Sequence, residues 1–161
     1  MSEPKQNPGY VDDDYLKQIA DTLRAAKQQT YDLMHIAEGH HVLDVGCGPA
    51  TDTIPLAKIV GASGRVVGVD YDEEMIAVAN QKAHEAAVAS YTKHEQCNAE
   101  DLPFDDYSFD SCRSERVFQH LENPAQVLQE MVRVCKPGAW IVIFLVLTDL
   151  VETEVAEAQL T

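Results

Sequence analysis

Residues 41–52, HVLDVGCGPATD, decide the fold of this chain, together with the apolar run RVVGVD at 65–70. Val42, Leu43 and Val45 make a short apolar run suited to a buried strand. Gly46 and Gly48 then let the backbone turn sharply and approach another molecule with no Cβ in the way. A helical pattern opens directly behind the turn, with Thr51 or Asp52 available as its cap, which would aim amide donors and the positive helix end at whatever sits above. The second run ends in Asp70, an acid able to accept two ribose hydroxyls across the strand tips. Strand, glycine turn, helix, strand and acid together predict a nucleoside-binding βαβ unit.

Two kinds of cofactor use such a unit. The dinucleotide fingerprint G-x-G-x-x-G needs its third glycine for close packing of helix on strand, and here Gly46-Cys47-Gly48-Pro49-Ala50-Thr51 has threonine in that place. What the run does carry is Asp44, two residues before the first glycine. This D-x-G-x-G pattern, with an acid closing the next strand, resembles the class I S-adenosylmethionine (SAM) dependent methyltransferases, where Ala50 would replace a common but dispensable third glycine. A second stretch, Asn98-Ala99-Glu100-Asp101-Leu102-Pro103-Phe104 ahead of Phe109-Asp110, is similar to the family's D-A-x-x-L-P-F-x-x-x-x-F-D. The run from Arg113 to Leu121, the Asn123-Pro124 helix start and the Lys136-Pro137-Gly138 turn extend the likeness over residues 30 to 145.

The resemblance implies an α/β, Rossmann-like doubly wound parallel sheet of strand order 3-2-1-4-5 with helices on both faces. It also implies SAM as cofactor and methyl transfer to a small-molecule acceptor by in-line displacement. Gly46 and Gly48 would admit the methionine half, with Asp44 orienting that turn or reaching the ammonium through water. Asp70 would hold the ribose, with Tyr71 beside it. Asn98 stands where the family has an acid that accepts the adenine amino group, so an uncharged amide oxygen would do so here. The amide of Ala99 would donate to the ring, with Glu100 in the same loop. Met75 either lies against the adenine or belongs to the core. His120, just beyond the fourth strand, is a candidate base or a packed, helix-capping histidine. Arg113 and Arg116 either meet the cofactor carboxylate or an acidic acceptor, or pair with surface acids.

The chain has 161 residues, a length suited to one domain. It divides into an N-terminal helical cap at 1–39, a cofactor-binding core at 40–147 and a terminal helix at 148–161. Twelve basic against 27 acidic side chains give a net charge of −15, which disfavours contact with a nucleic-acid backbone. Cys47, Cys97, Cys112 and Cys135 form no C-x-x-C pair and read as buried free thiols, without metal-ligand spacing. No signal peptide is evident in MSEPKQNPGY, and the run Ala139 to Leu147 is too short to span a bilayer as a helix. A cytoplasmic protein is the expectation.

Residues 1 to 11 lack periodicity and are expected to be mobile. A long amphipathic helix should follow from Asp12, with a break near Gln29, and Tyr10 or Tyr15 available as a lid. Three further helices are expected at 52–60, 75–87 and 124–135, the last with Val127, Leu128, Met131 and Val132 buried. His84 and His94 read as solvent-facing. Little chain follows Leu147, so the two final antiparallel strands of the family order 3-2-1-4-5-7-6 are expected to be missing. The fifth strand would then be a bare apolar edge, and a homo-oligomer through that edge or through the terminal helix is the expectation, unless this is part of a longer enzyme. Two other functions compete with methyl transfer: a truncated, non-catalytic SAM-binding or interaction protein, and an NAD-dependent oxidoreductase.

Overall fold

The computed structural model describes residues 13–147 and 152–159, and the expectations for residues 1–11 and for Tyr10 lie outside them. Helix α1 spans Asp13–Leu33, followed by β1 His41–Val45, α2 Thr53–Val60, β2 Arg65–Asp70, α3 Glu73–Glu85 and β3 Thr92–Gln96. Then come β4 Phe109–Glu115, a one-turn 3-10 helix Phe118–His120, α4 Pro124–Val134, β5 Cys135–Leu147 and β6 Glu152–Gln159. The sheet order is β3-β2-β1-β4-β5-β6. The first five strands are parallel in the order 3-2-1-4-5, while β6 pairs antiparallel with β5 from Trp140↔Gln159 to Leu147↔Glu152.

Alternation along each strand sends neighbours to opposite faces. Val42, Val66 and Val142 meet Tyr31, Met34, Leu56, Ala57, Val60 and Ala83 from the α1, α2 and α3 side. Leu43, Val67 and Ile141 meet Val127, Met131 and Val134 of α4 on the other. Both faces are therefore covered, as a parallel sheet requires. Gly68 has no room for a side chain, since a Cβ there would stand 2.8 Å from atoms of Cys47 and Thr53. That absence lets the glycine turn and α2 settle directly onto β2.

Several expectations are corrected. Residues 152–159, which were expected to be helical, extend as β6, and the rest of the expected terminal helix lies outside the described residues. The fifth strand is consequently paired on both sides, and the bare edge on which a homo-oligomer was expected does not exist. One of the two antiparallel strands expected to be missing is thus represented. Helix α1 runs through Gln29 without a break. On α4, Leu128 and Val132 are exposed while Glu130 is buried.

Candidate functional site

The carboxyl ends of β1, β2 and β4 open onto a cavity of about 300 Å³. Val45 and Gly46 come from the end of β1, Val69, Asp70 and Tyr71 from the end of β2, and Cys97, Asn98 and Ala99 from the loop after β3. Arg116, Val117, His120 and Leu121, following β4, close the remaining side. The strand order reverses between β1 and β4, so this is the switch point at which open parallel sheets bind ligands.

Asp70 is fixed from both sides. Its Oδ2 accepts the Gly48 N–H at 2.8 Å and its Oδ1 accepts the Asp72 N–H at 3.0 Å. Each oxygen keeps a further lone pair for a hydroxyl donor. In the turn itself the Gly46 and Cys47 N–H groups donate to the Val69 carbonyl at 2.8 and 2.9 Å, and that of Gly48 goes to Asp70. The three amides of the turn are thus bonded back to β2. The turn is a shaped floor and not an anion nest. Gly46 has φ +77°, and a Cβ there would stand 2.1 Å from a Val117 methyl. At Gly48 no atom lies within 4 Å of such a Cβ, so the turn is open at that point.

Asn98 folds over its own loop, with its Oδ1 accepting the Glu100 N–H at 3.0 Å and its carbonyl accepting the Asp101 N–H at 3.1 Å. Its side chain is exposed, and Oδ1 retains capacity for one more donor. Tyr71 is 82% exposed at the rim. His120 is exposed on the 3-10 turn. Thus Gly46, Asp70, Tyr71, Asn98, Ala99 and His120 share one cavity wall.

Asp44, Gly48, Met75, Glu100 and Arg113 do not line it. Gly48 acts on the site through Asp70. Met75 is half-buried near the start of α3 and offers its N–H to the Asp72 cap at 3.3 Å. Glu100 gives its N–H to Asn98 and its carbonyl to Gln126.

Arg113 is the largest correction: it is fully buried and cannot meet cofactor or acceptor. Its Nη1 lies 2.8 Å from Asp52 Oδ1 and its Nη2 bonds Glu115 Oε2 at 2.6 Å, with the guanidinium carbon 5.1 Å from the Tyr31 ring centroid. Lys27 Nζ reaches Asp52 at 3.1 Å and Glu115 at 3.4 Å, while the Tyr31 hydroxyl donates to Asp52. Burial alone would lower the Arg113 pKa, but Asp44, Asp52 and Glu115 together hold it above its ordinary value. Burial would likewise raise Asp52, yet Arg113, Tyr31 and Lys27 keep its carboxyl below the usual range. Asp52 therefore does not cap α2 with its side chain.

Asp44 is 2% exposed, and its Oδ2 has no hydrogen-bond partner. Desolvation pushes its pKa up to about 7, only partly offset by Arg113. It stands below the turn, inside the protein. His94, expected at the surface, is buried, with Nε2 2.8 Å from Thr53 Oγ1 and Nδ1 3.1 Å from Asn80 Oδ1. These partners suit a neutral ring, and burial lowers its pKa. The cysteines are free, with Cys47, Cys112 and Cys135 buried and Cys97 half-buried in the cavity wall. Burial raises the Cys97 pKa to about 11, which leaves little thiolate. Among the described residues, no group of three or more His, Cys, Asp or Glu could hold a metal ion. No helix among them is long and apolar enough to cross a membrane.

Val45, Val69, Cys97, Val117 and Leu121 are wall residues that sequence reasoning did not assign to the site. Each adjoins a motif position, so the apolar neighbours of Gly46, Asp70, Asn98 and His120 were the available signal.

The chain matches a family model described as "Methyltransferase domain" over residues 43–143. With this sheet order and this cavity, it belongs to the class I S-adenosylmethionine-dependent methyltransferases. It is 40% identical over 121 residues to demethylmenaquinone methyltransferase of Lactiplantibacillus plantarum, covering 75% of this chain and 51% of the relative. It is 39% identical over 130 residues to an uncharacterized 37.1 kDa transposon protein of Streptomyces fradiae, covering 80% of this chain and 37% of that protein. The chain thus spans 37% to 51% of the length of these two relatives. A solved SAM-dependent methyltransferase from Aquifex aeolicus superposes with a TM-score of 0.70 at 27% identity, covering 84% of this chain and 73% of that one.

Proposed function

We propose that this chain binds SAM in the cavity and transfers its methyl group to a small-molecule acceptor. The observation that carries this reading is how the glycine turn spends its amides. A dinucleotide presents a pyrophosphate that needs free N–H donors at the turn and the positive end of the following helix. Here the Gly46, Cys47 and Gly48 N–H groups are bonded to β2, and the ionised Asp52 stands at the start of α2. That arrangement leaves a pyrophosphate without the N–H donors of the turn. It accommodates a cofactor whose nucleoside carries a cationic sulfonium, and Asp70 still presents two acceptors to a ribose.

The residues present fit SAM. Asp70 would hold the ribose hydroxyls, Asn98 Oδ1 the adenine amino group and the Ala99 amide a ring nitrogen. Val69, Cys97, Ala99 and Leu121 supply apolar walls. When bound, the cofactor supplies an activated methyl group on sulfur, leaving the protein to position and desolvate the two partners. Val117 and Leu121 exclude water from the β4 side. His120 stands where it could take a proton from the acceptor, if the acceptor carries one that water does not remove. Arg116, exposed at the same rim, suits an anionic group of the acceptor or the cofactor carboxylate. The four free thiols suit a reducing compartment such as the cytoplasm.

Calorimetric titration with S-adenosylhomocysteine and with NAD tests the reading. The former should bind and the latter should not. Asp70→Ala removes two charge-assisted bonds worth about 1.5–3 kcal/mol each, so affinity should fall at least about tenfold. NAD binding, or unchanged affinity in Asp70→Ala, would refute the assignment.

A further inference from the structure

The loop joining β3 to β4 puts Cys97, Asn98 and Ala99 into the cavity wall, yet it contains no helix or strand of its own. Side chains from α4 hold it. Gln126, Glu130 and Arg133 are spaced four and three residues apart and so share one face of that helix. Arg133 uses all five of its N–H donors. Nε bonds Glu130 Oε1 at 2.7 Å; Nη1 bonds the Phe104 carbonyl at 2.7 Å and Asp106 Oδ1 at 2.9 Å. Nη2 bonds the Leu102 carbonyl at 2.9 Å and Glu130 Oε2 at 2.7 Å. Glu130 Oε2 also accepts the Leu102 N–H at 2.8 Å, and Gln126 Nε2 donates to the Glu100 carbonyl at 3.2 Å. The guanidinium bond holds the Glu130 carboxyl below its usual pKa range, so the pair stays charged near neutral pH.

These contacts act on the backbone from Glu100 to Phe104, next in the chain to the cavity wall. The Asn98 turn carries their effect onward, because Asn98 Oδ1 is bonded to the Glu100 N–H and the Asn98 carbonyl to the Asp101 N–H. A planar guanidinium fork bound at every donor tolerates little displacement. Site groups need placement to within about 0.5 Å to bind well, and an irregular loop cannot supply that by itself. We infer that Gln126, Glu130 and Arg133 are positioning residues for the nucleoside end of the cavity, fixing Asn98 and Ala99 and thereby setting affinity for an adenosine-bearing ligand. The inference rests on the proposed SAM site and adds residues that never touch the ligand.

The test uses S-adenosylhomocysteine titrated into the whole chain at a temperature where every variant is folded by circular dichroism. Arg133→Lys keeps the charge and loses the fork, so its Kd should rise about tenfold, a change of about 1.4 kcal/mol. Gln126→Ala should raise Kd three- to fivefold with little change in melting temperature. Hydrogen exchange at the Leu102 amide should quicken in Arg133→Lys. A purely structural role predicts wild-type affinity in both folded variants, and that result would overturn the inference. If Arg133→Lys does not fold, Gln126→Ala decides alone, because its one bond can be removed without unfolding the loop. Failure of the wild type to bind the probe would instead remove the SAM site and this inference with it.

Discussion

Replacing Gly46 with alanine should damage the protein for two separable reasons. Its φ of +77° is in the left-handed region, where a side chain costs about 1–2 kcal/mol. The added methyl would also stand 2.1 Å from Val117 Cγ2, with the Val117 Cβ and Cγ1 at 3.2 and 3.3 Å. Val117 must move, and overpacking of this kind costs about 1–3 kcal/mol. The expected total is about 2–5 kcal/mol. Gly48→Ala is the internal control: φ is +49° and nothing lies within 4 Å, so only a conformational cost of about 1 kcal/mol should appear. In a Val117→Ala background the 2.1 Å and 3.3 Å methyl contacts are gone and only the Cβ contact at 3.2 Å stays, so the cost of Gly46→Ala should fall toward the conformational part of about 1–2 kcal/mol. Urea denaturation of the four single and double variants measures each quantity. Equal costs for Gly46→Ala and Gly48→Ala, or strict additivity with Val117→Ala, would refute the packing argument.

Asn98→Asp keeps an oxygen for the Glu100 amide and turns a charged one toward the cavity, so affinity for S-adenosylhomocysteine should hold or rise by less than about tenfold. A large loss would show that Asn98 acts as a donor. His94 has its folded-state pKa lowered by burial, so the unfolded chain binds the extra proton first and stability should decline as pH falls below about 6.5. His94→Gln should flatten that slope in urea unfolding between pH 7 and 5, and an unchanged slope would contradict the role. Asp44 works in the opposite sense. Its folded pKa of about 7, against 3.8 for a free carboxyl, makes the folded state retain a proton, so its contribution weakens as pH rises from about 4 to 7. Asp44→Asn should therefore lose less stability than wild type between pH 5 and 8; equal losses would be inconsistent with a protonated Asp44.

The alternation of strands and helices could be read from the chain because mostly apolar runs, each followed by a turn or cap, recur at the spacing of βαβ units, while the sheet order 3-2-1-4-5 came with the resemblance to the methyltransferases. Asp70 and His120 could be placed because one ends a strand and the other stands just beyond one, and Asn98 because its stretch resembles the family's motif. Where sequence reasoning failed, a distant partner had overridden a local preference. Asp52 looked like a helix cap, but Arg113, far along the chain, draws its carboxylate inward. Periodicity put Leu128 and Val132 in the α4 stripe, whereas the carboxylate of Glu130 is turned inward to serve the Leu102 amide. His94 sits in a polar strand, and its burial depends on Thr53 and Asn80 from two helices. The segment Glu152–Gln159 is rich in alanine and glutamate, which favour helix in isolation. The open side of β5 offered a row of backbone partners, and such an edge outweighs weak propensity.

The cage around Arg113 bears on the order in which the molecule assembles. Its charge lies at the centre of the sheet on β4, while its counter-charges are Asp52 at the start of α2 and Glu115 at the end of β4; Lys27 on α1 pairs with both of these carboxylates, and Tyr31 completes the shell. No one of these segments can desolvate the guanidinium favourably alone, since a buried charge without its partners costs several kcal/mol. Docking of α1 is consequently tied to closure of β4 against β1, and the two should form and dissolve in a single step. A chain shortened so as to lack Lys27 and Tyr31 would not merely lose an outer helix. It would open a water-accessible defect at the middle of the sheet, and the whole domain would lose cooperativity.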